Sequence, residues 1–324
     1  MSKLNGRYLA SELVKADLKG SAPLIMDILF ERDNTVLLGK EKAGKSIFAM
    51  QMACALSVGG KFLGAYDVPK AVDVVYIQAE GKLANTQSNL LNMTKVIDAD
   101  LDRILWLYYP SIPFDTPTGY DEIITQIASW RRPEVIILDP LYMAMSGDLK
   151  DDVTSRKMIE NLRKLADAFE ATTVLVHHAH RQVRDQKGHD INEGDNAIFG
   201  SFVWKAYPDH VLMIEKVQGH KNYRRLSCNT QRMGNIVESL DLVLIEPTPL
   251  YFEKKPENHR PIDDLVLANI SQDGTSIDQL KSRIDRNYDT VQAACRRLQT
   301  LGKIVRVNPN KYPVIYALEK RGVN

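Results

Sequence analysis

Hydrophobic and polar positions follow two rhythms along the first two thirds of the chain. Short, nearly continuous apolar runs have the length and β-branched content of buried strands: "TVLL" at 35–38, "AVDVVYIQAE" ending at Glu80, "RILWLYY", "EVIILDPL" ending its run at Asp139, and "TTVLVHH". Between them lie segments with apolar residues at helical spacing: Lys45–Val58, residues 83–94, "YDEIITQIASWR" and "TSRKMIENLRKLADAFE". Strands alternating with helices predict an α/β fold, a mostly parallel sheet with helices on both faces. A long polar stretch, "AHRQVRDQKGHDINEGDNAIFG", follows. After it, "HVLMIEKVQ" and "RRLSCNTQRM" read as strands flanking "GHKNY".

The rhythm changes after "EPTPLYFEKKPENHRP", a segment rich in proline and charge. Residues 261–271, "SIDQLKSRI" and "NYDTVQAACRRLQTLG" read as three helices, and "KIVRVNPNKYPVIYAL" as two strands around a polar turn. That is the order of a winged helix-turn-helix. The expected division is a lead-in over 1–24 with a short amphipathic helix, a main domain over 25–250, a linker over 251–260 and a winged-helix domain over 261–324.

Charge sharpens this division. The net charge of the 324 residues is only +1, but residues 254–324 carry 13 Lys/Arg against 8 Asp/Glu. A basic end points to an acidic partner, nucleic acid first. In the third helix the apolar stripe turns Tyr288, Val291, Ala294, Cys295 and Leu298 inward. Arg286, Asn287, Arg296 and Arg297 are left for the surface, and the hairpin adds Lys303, Arg306 and Lys311. Such a helix offers donors to base edges while flanking cations neutralise phosphates. A winged domain used for protein contacts would look similar. The three cysteines are far apart and form neither a zinc pattern nor a disulfide framework. No apolar run reaches the roughly 18 residues of a membrane span, and the N-terminus lacks a signal-peptide core. The expectation is a cytoplasmic protein with no membrane partner.

The chemistry begins at Gly39-Lys40-Glu41-Lys42-Ala43-Gly44-Lys45-Ser46-Ile47. Two glycines at this spacing let the backbone wrap a β-phosphate with N–H donors, and the following helix points its positive end at the same anion. Lys45 adds charge toward the β/γ oxygens, and the Ser46 hydroxyl can ligate Mg²⁺. Placement between a strand and a helix is the context such a loop requires. Hydrolysis needs more. Asp139 ends a strand and can hold Mg²⁺ from a second side. Glu80 ends another and can polarise the attacking water. His177 and His178 point to opposite faces of their strand, so one of them, His178, is the candidate to sense the γ-phosphate.

The order of these parts, with "KFLGAYDV" after the first helix and "GSFVWKAYPD" after the long loop, resembles the RecA-like ATPases and among them the RepA-like hexameric helicases. The similarity covers roughly residues 20–250. It implies ATP and Mg²⁺ as ligands, Glu80 as catalytic base, Asp139 as the second metal-side carboxylate and His178 as polar sensor. It also implies mobile loops that touch single-stranded DNA, with Arg181, Arg184 and Lys187 as phosphate contacts. Members complete their site with a cation from the next subunit. Lys216, Lys221, Arg224, Arg225 and Arg232 are candidates, Arg232 being favoured. The implied function is a DNA helicase or translocase that forms a hexameric ring. The alternative is a nucleotide-switched ATPase that binds duplex DNA through its winged helix as a replication initiator or transcriptional regulator.

Overall fold

The computed structural model describes residues 9–15, 20–179, 198, 200–217, 220–231, 239–246, 250–254, 261–300, 302–308 and 313–318. The chain forms two compact units, Met1–Lys254 and Lys255–Asn324.

A nine-stranded sheet forms the body of the first unit. Its order is Tyr251–Lys254, Leu240–Ile245, Tyr223–Gln231, His210–Lys216, Asn34–Gly39, Thr172–His178, Val135–Asp139, Val74–Gln78 and Ile104–Tyr108. The last six of these strands run parallel to their neighbours, and the first three join antiparallel. Alternation divides their side chains between two cores. Leu37, Tyr76, Ile137 and Val174 serve one face, and Leu38, Ile77, Ile136 and Leu175 the other. On the second face lie Ile123 and Ile127 of helix Pro117–Ala128, with Met158, Leu162 and Leu165 of helix Asp152–Phe169. Both helices start where the sequence provides a cap. Thr116 accepts from the Gly119 N–H ahead of Pro117, and Asp151 accepts from the Thr154 N–H.

The first face carries helix Lys45–Val58, which is buried almost all round rather than along one stripe. It is covered on its outer side too. Phe48 meets Phe62 of the hairpin Gly60–Phe62/Tyr66–Val68 at 5.2 Å between ring centroids, and Phe252 at 6.0 Å.

Phe252 corrects the expected linker. Residues 251–254 are the outermost strand of the sheet, not the start of a connection. The Gln51 carboxamide accepts from the Phe252 N–H and donates to the Phe252 carbonyl, so the side chain of the buried helix pairs like a neighbouring strand. The lead-in also ends sooner than expected. Helix Ala10–Lys15 is short, and Leu24 and Ile25 already belong to the core.

The second unit contains helices Pro261–Asn269, Ile277–Ile284 and Tyr288–Thr300. A three-stranded antiparallel sheet follows the order Thr275–Ser276, Ile315–Leu318, Ile304–Arg306. Val266, Leu280, Val291, Cys295, Leu298 and Tyr316 fill its core. Helix Ile277–Ile284 starts on a capping box in which the Ser276 hydroxyl accepts from the Gln279 N–H and the Gln279 side chain accepts from the Ser276 N–H.

Candidate active site

In the parallel register Gly39 lies opposite His178, and Gln78 opposite Asp139 and Tyr108. The strand ends therefore line one edge of the sheet, where ligands bind in open α/β folds.

The glycine loop leaves the P-loop strand, Asn34–Gly39, at this edge. A Cβ at Gly39 would lie 2.6 Å from the carbonyl oxygen of Ile214 in the adjacent strand. Gly44 sits at φ +98°, and a Cβ there would lie 2.6 Å from Cζ of Phe252. Glycine is required at both positions, once for close approach and once for a left-handed backbone as well. Ala43 is buried. Lys40, Gly44 and Ile47 are half-buried, and Glu41, Lys42 and Ser46 are exposed. Helix Lys45–Val58 has no side-chain cap and no acidic residue in its first turn, which leaves its positive end open to an anion.

Lys45 is folded into the loop. Its Nζ donates to the carbonyls of Gly39 at 2.8 Å and Lys40 at 3.1 Å and lies 3.5 Å from Nδ1 of His178. Burial lowers its pKa, opposed by the charges of Asp139, Glu80 and Glu41. Burial and the nearby Lys45 charge likewise lower the pKa of His178. From the other side Arg224, itself buried, donates Nε–H to the Ala43 carbonyl at 2.9 Å and Nη1–H to the carbonyls of Lys221 and Tyr223. Arg224 thus braces the loop of its own chain, and its guanidinium is not displayed to a neighbouring subunit. Its distance of 181 positions from Ala43 hides this contact from sequence.

Asp139 is 5% exposed. Burial raises its carboxyl pKa against the hydroxyls of Tyr76 and Ser46, which favour the ionised form. Tyr76 donates to Oδ2 at 2.6 Å, and its own pKa is driven well up by burial and by Asp139. The other oxygen, Oδ1, is enclosed without a hydrogen bond of ordinary geometry among the described residues. A buried carboxylate beside the Ser46 hydroxyl, one oxygen of which lacks a well-formed hydrogen bond, fits a hard divalent cation taking oxygen ligands. Ser46 and Asp139 would hold Mg²⁺, which when bound neutralises charge on the phosphates.

Glu80 is exposed beyond the end of its strand. The Gln78 side chain donates to the Glu80 carbonyl at 2.7 Å and accepts from the Trp106 indole at 3.0 Å. The Tyr142 hydroxyl donates to Glu80 Oε2. Neither Gln78 nor Tyr142 is among the residues expected from sequence. His177 is fully buried on the opposite side of the strand from His178, near Trp204.

The remaining expected residues are scattered. Arg181, Arg184, Lys187, Arg232 and Lys311 lie outside the described residues. Arg225 pairs with Asp241 at 3.0 Å and Lys221 with Glu246 at 3.5 Å, while Lys216 is exposed at the end of its strand. In the second unit Arg286 and Arg296 are exposed and Arg306 is half-buried. Two residues have other work than DNA contact. Asn287 caps helix Tyr288–Thr300 by accepting from the Thr290 N–H at 2.8 Å. Arg297 turns inward and grips Asp263 with two N–H groups, because the Asp263 side chain is buried and needs a counter-charge.

A parallel sheet with a glycine loop, a buried strand-end aspartate and a strand-end glutamate at one edge defines a RecA-like P-loop ATPase. The chain belongs to the AAA domain family, whose model matches residues 8–182. No curated protein matches it. Among solved structures, one described as an ATPase domain shares the fold. It has a TM-score of 0.51 and 14% identity, over 72% of this chain and 92% of that one. A RadB recombinase gives a TM-score of 0.49 at 13% identity, over 70% and 93% of the two chains. A KaiC-like protein from Pyrococcus horikoshii OT3 gives 0.47 at 15%, over 72% and 94%.

Proposed function

We propose that this protein is an ATP-driven nucleic-acid motor, a RepA-like replicative DNA helicase or translocase that works on single-stranded DNA as a ring of six copies. The observation that carries the reading is the set of strand ends on one edge: Lys45 and Ser46 in the loop, Asp139 poised for Mg²⁺, Glu80 for water and His178 beside Lys45. Such a set supports turnover rather than storage of the nucleotide. In this reading Arg181, Arg184 and Lys187 contact the single strand, and Arg232 of one copy completes the site of the next. The second unit acts as a winged helix that holds DNA or a partner through Arg286, Arg296, Arg306 and Lys311. The likeness to the solved ATPase domain supports the fold of this reading and nothing about its DNA.

The test is steady-state ATP hydrolysis with and without single-stranded DNA, with Glu80→Gln as the blank. Stimulation of about tenfold or more, from coupling DNA contacts to a site of this kind, supports the motor. Hydrolysis unchanged by single strands, with duplex DNA still bound, favours the nucleotide-switched initiator or regulator instead.

A further inference from the structure

Tyr142 stands between two residues of the candidate site. It follows strand Val135–Asp139, which lies between the strand leading to Glu80 and the strand ending in His178. The 3₁₀ turn Leu141–Ala144 sets its direction. Residues three apart share a side of such a turn, and Leu141 and Ala144 are both buried in the core. Tyr142 is left half-buried at the sheet edge. Its hydroxyl donates to Glu80 Oε2, and its ring lies 5.0 Å from that of His178. With His178 3.5 Å from Lys45, the four side chains form one row from the water-side carboxylate to the phosphate-side lysine.

We propose that Tyr142 is a positioning residue for hydrolysis, holding the Glu80 carboxylate in one orientation by its hydroxyl while its ring rests against His178. This rests on the reading of Glu80 as catalytic base. A free glutamate side chain has several rotamers, and selecting one works against conformational entropy. The backbone around Glu80 is already anchored, by Gln78 on the Glu80 carbonyl and by the Tyr108 hydroxyl on the Gly81 carbonyl at 2.9 Å. Only the carboxylate end lacked an anchor, and Tyr142 supplies it. Burial and the hydrogen bond to Glu80 push the Tyr142 hydroxyl pKa up to about 12, so it remains a donor throughout the neutral range.

The geometry also divides the carboxylate. Oε2 accepts from Tyr142, and Oε1 carries none of the described hydrogen bonds. In the step itself, the water oxygen bonds to the γ-phosphorus and the bond from phosphorus to the β–γ bridging oxygen breaks. The water proton passes to Glu80, at Oε1, and ADP leaves with the electron pair of the broken bond.

The experiment is Tyr142→Phe in the full chain, which keeps the ring against His178 and removes only the hydroxyl. A general base contributes about 10²–10⁴-fold, and a loosened one retains part of that. The expected result is kcat lower by about tenfold with KM for ATP within about twofold. ADP affinity, measured with a fluorescent analogue, should stay unchanged. Equal turnover in wild type and variant overturns the proposal, as does faster turnover, which would mean that the hydroxyl restrains Glu80. Parallel loss of kcat and ADP affinity also overturns it, since that is general damage to the site. Glu80→Gln, measured alongside, separates the two levels. Normal turnover there removes the reading of Glu80 as base, whereas an inactive Glu80→Gln with a fully active Tyr142→Phe removes only the role of Tyr142.

Discussion

Replacing Tyr76 by Phe would remove one hydroxyl and leave the ring in place. That ring is buried and stacks on Trp106 at 4.1 Å with 9° between planes, so Phe fits the same space. The lost hydroxyl donates to Asp139 Oδ2 at 2.6 Å. A hydrogen bond to a charged group contributes about 1.5–3 kcal/mol. Where Asp139 is ionised in both proteins the first unit should lose that much stability, a fall of roughly 3–12 °C in Tm for a domain of this size. The pH dependence gives the sharper test. Burial already holds the Asp139 pKa above its ordinary value of 3.8. Between that value and the folded pKa the native state binds more protons than the unfolded chain, so this group makes stability fall as pH rises. Loss of the Tyr76 donor raises the folded pKa further and extends the interval upward. The deficit of Tyr76→Phe is therefore small where the carboxyl is neutral in both proteins, and full above the folded pKa. Calorimetric unfolding of both proteins between about pH 4 and pH 8 reads it directly. A deficit of the same size at every pH would refute the reasoning, because the hydroxyl would then not be serving an ionised carboxylate.

Two further outcomes concern stability away from the site. Burial alone would lower the His210 pKa, but Asp33, bonded at 2.7 Å, and Cys228 outweigh it and raise it to about 9. Its contribution, on the order of 3 kcal/mol, is full below the unfolded value near 6.5 and is lost as pH rises through about 9. Urea midpoints should fall over that window in wild type and stay level in His210→Gln; a level wild type would contradict the assignment. In the second unit Arg297→Ala strands the Asp263 carboxylate, whose side chain is 1% exposed, and should cost about 3–5 kcal/mol. Differential scanning calorimetry of the full chain would show this as one lowered transition, and an unmoved thermogram would show that the ion pair is dispensable.

The parts of the site legible in sequence are those built from neighbours in the chain. The loop from Gly39 to Ser46 contains its own glycines, lysine and hydroxyl, and its strand and helix adjoin it, so one short window carries the motif. Glu80, Asp139 and His178 are legible for a related reason. Each follows a run of apolar residues, and parallel strands in register bring such ends to one edge. Helix Lys45–Val58 is found at its observed bounds because glycines stand on both sides of it, Gly44 before and Gly59 and Gly60 after. The edge strand Tyr251–Lys254 is not, because it buries only Phe252 and lies among prolines and charges that read as a linker. A strand with one inward side chain has no period for the eye to find.

What stays hidden is the second layer of contacts, and it has a common form. Arg224 reaches Ala43, Gln51 pairs with the Phe252 backbone, Phe252 closes over Gly44, and Tyr142 holds Glu80. In each case the two partners lie 62 or more positions apart in the chain. The antiparallel strands beyond His210–Lys216 supply Arg224 and Phe252, so they do more than extend the sheet. They brace the back of the phosphate loop with a guanidinium on one side and a ring on the other. A loop that must wrap an anion with its own N–H groups gains from such bracing, since every rotation left free in the loop is entropy lost on binding. The same logic applies to Tyr142, which holds an exposed carboxylate that the backbone contacts of Gln78 and Tyr108 leave free to turn. The local motif specifies which atoms meet the nucleotide, while the distant residues determine how little those atoms must rearrange when it arrives.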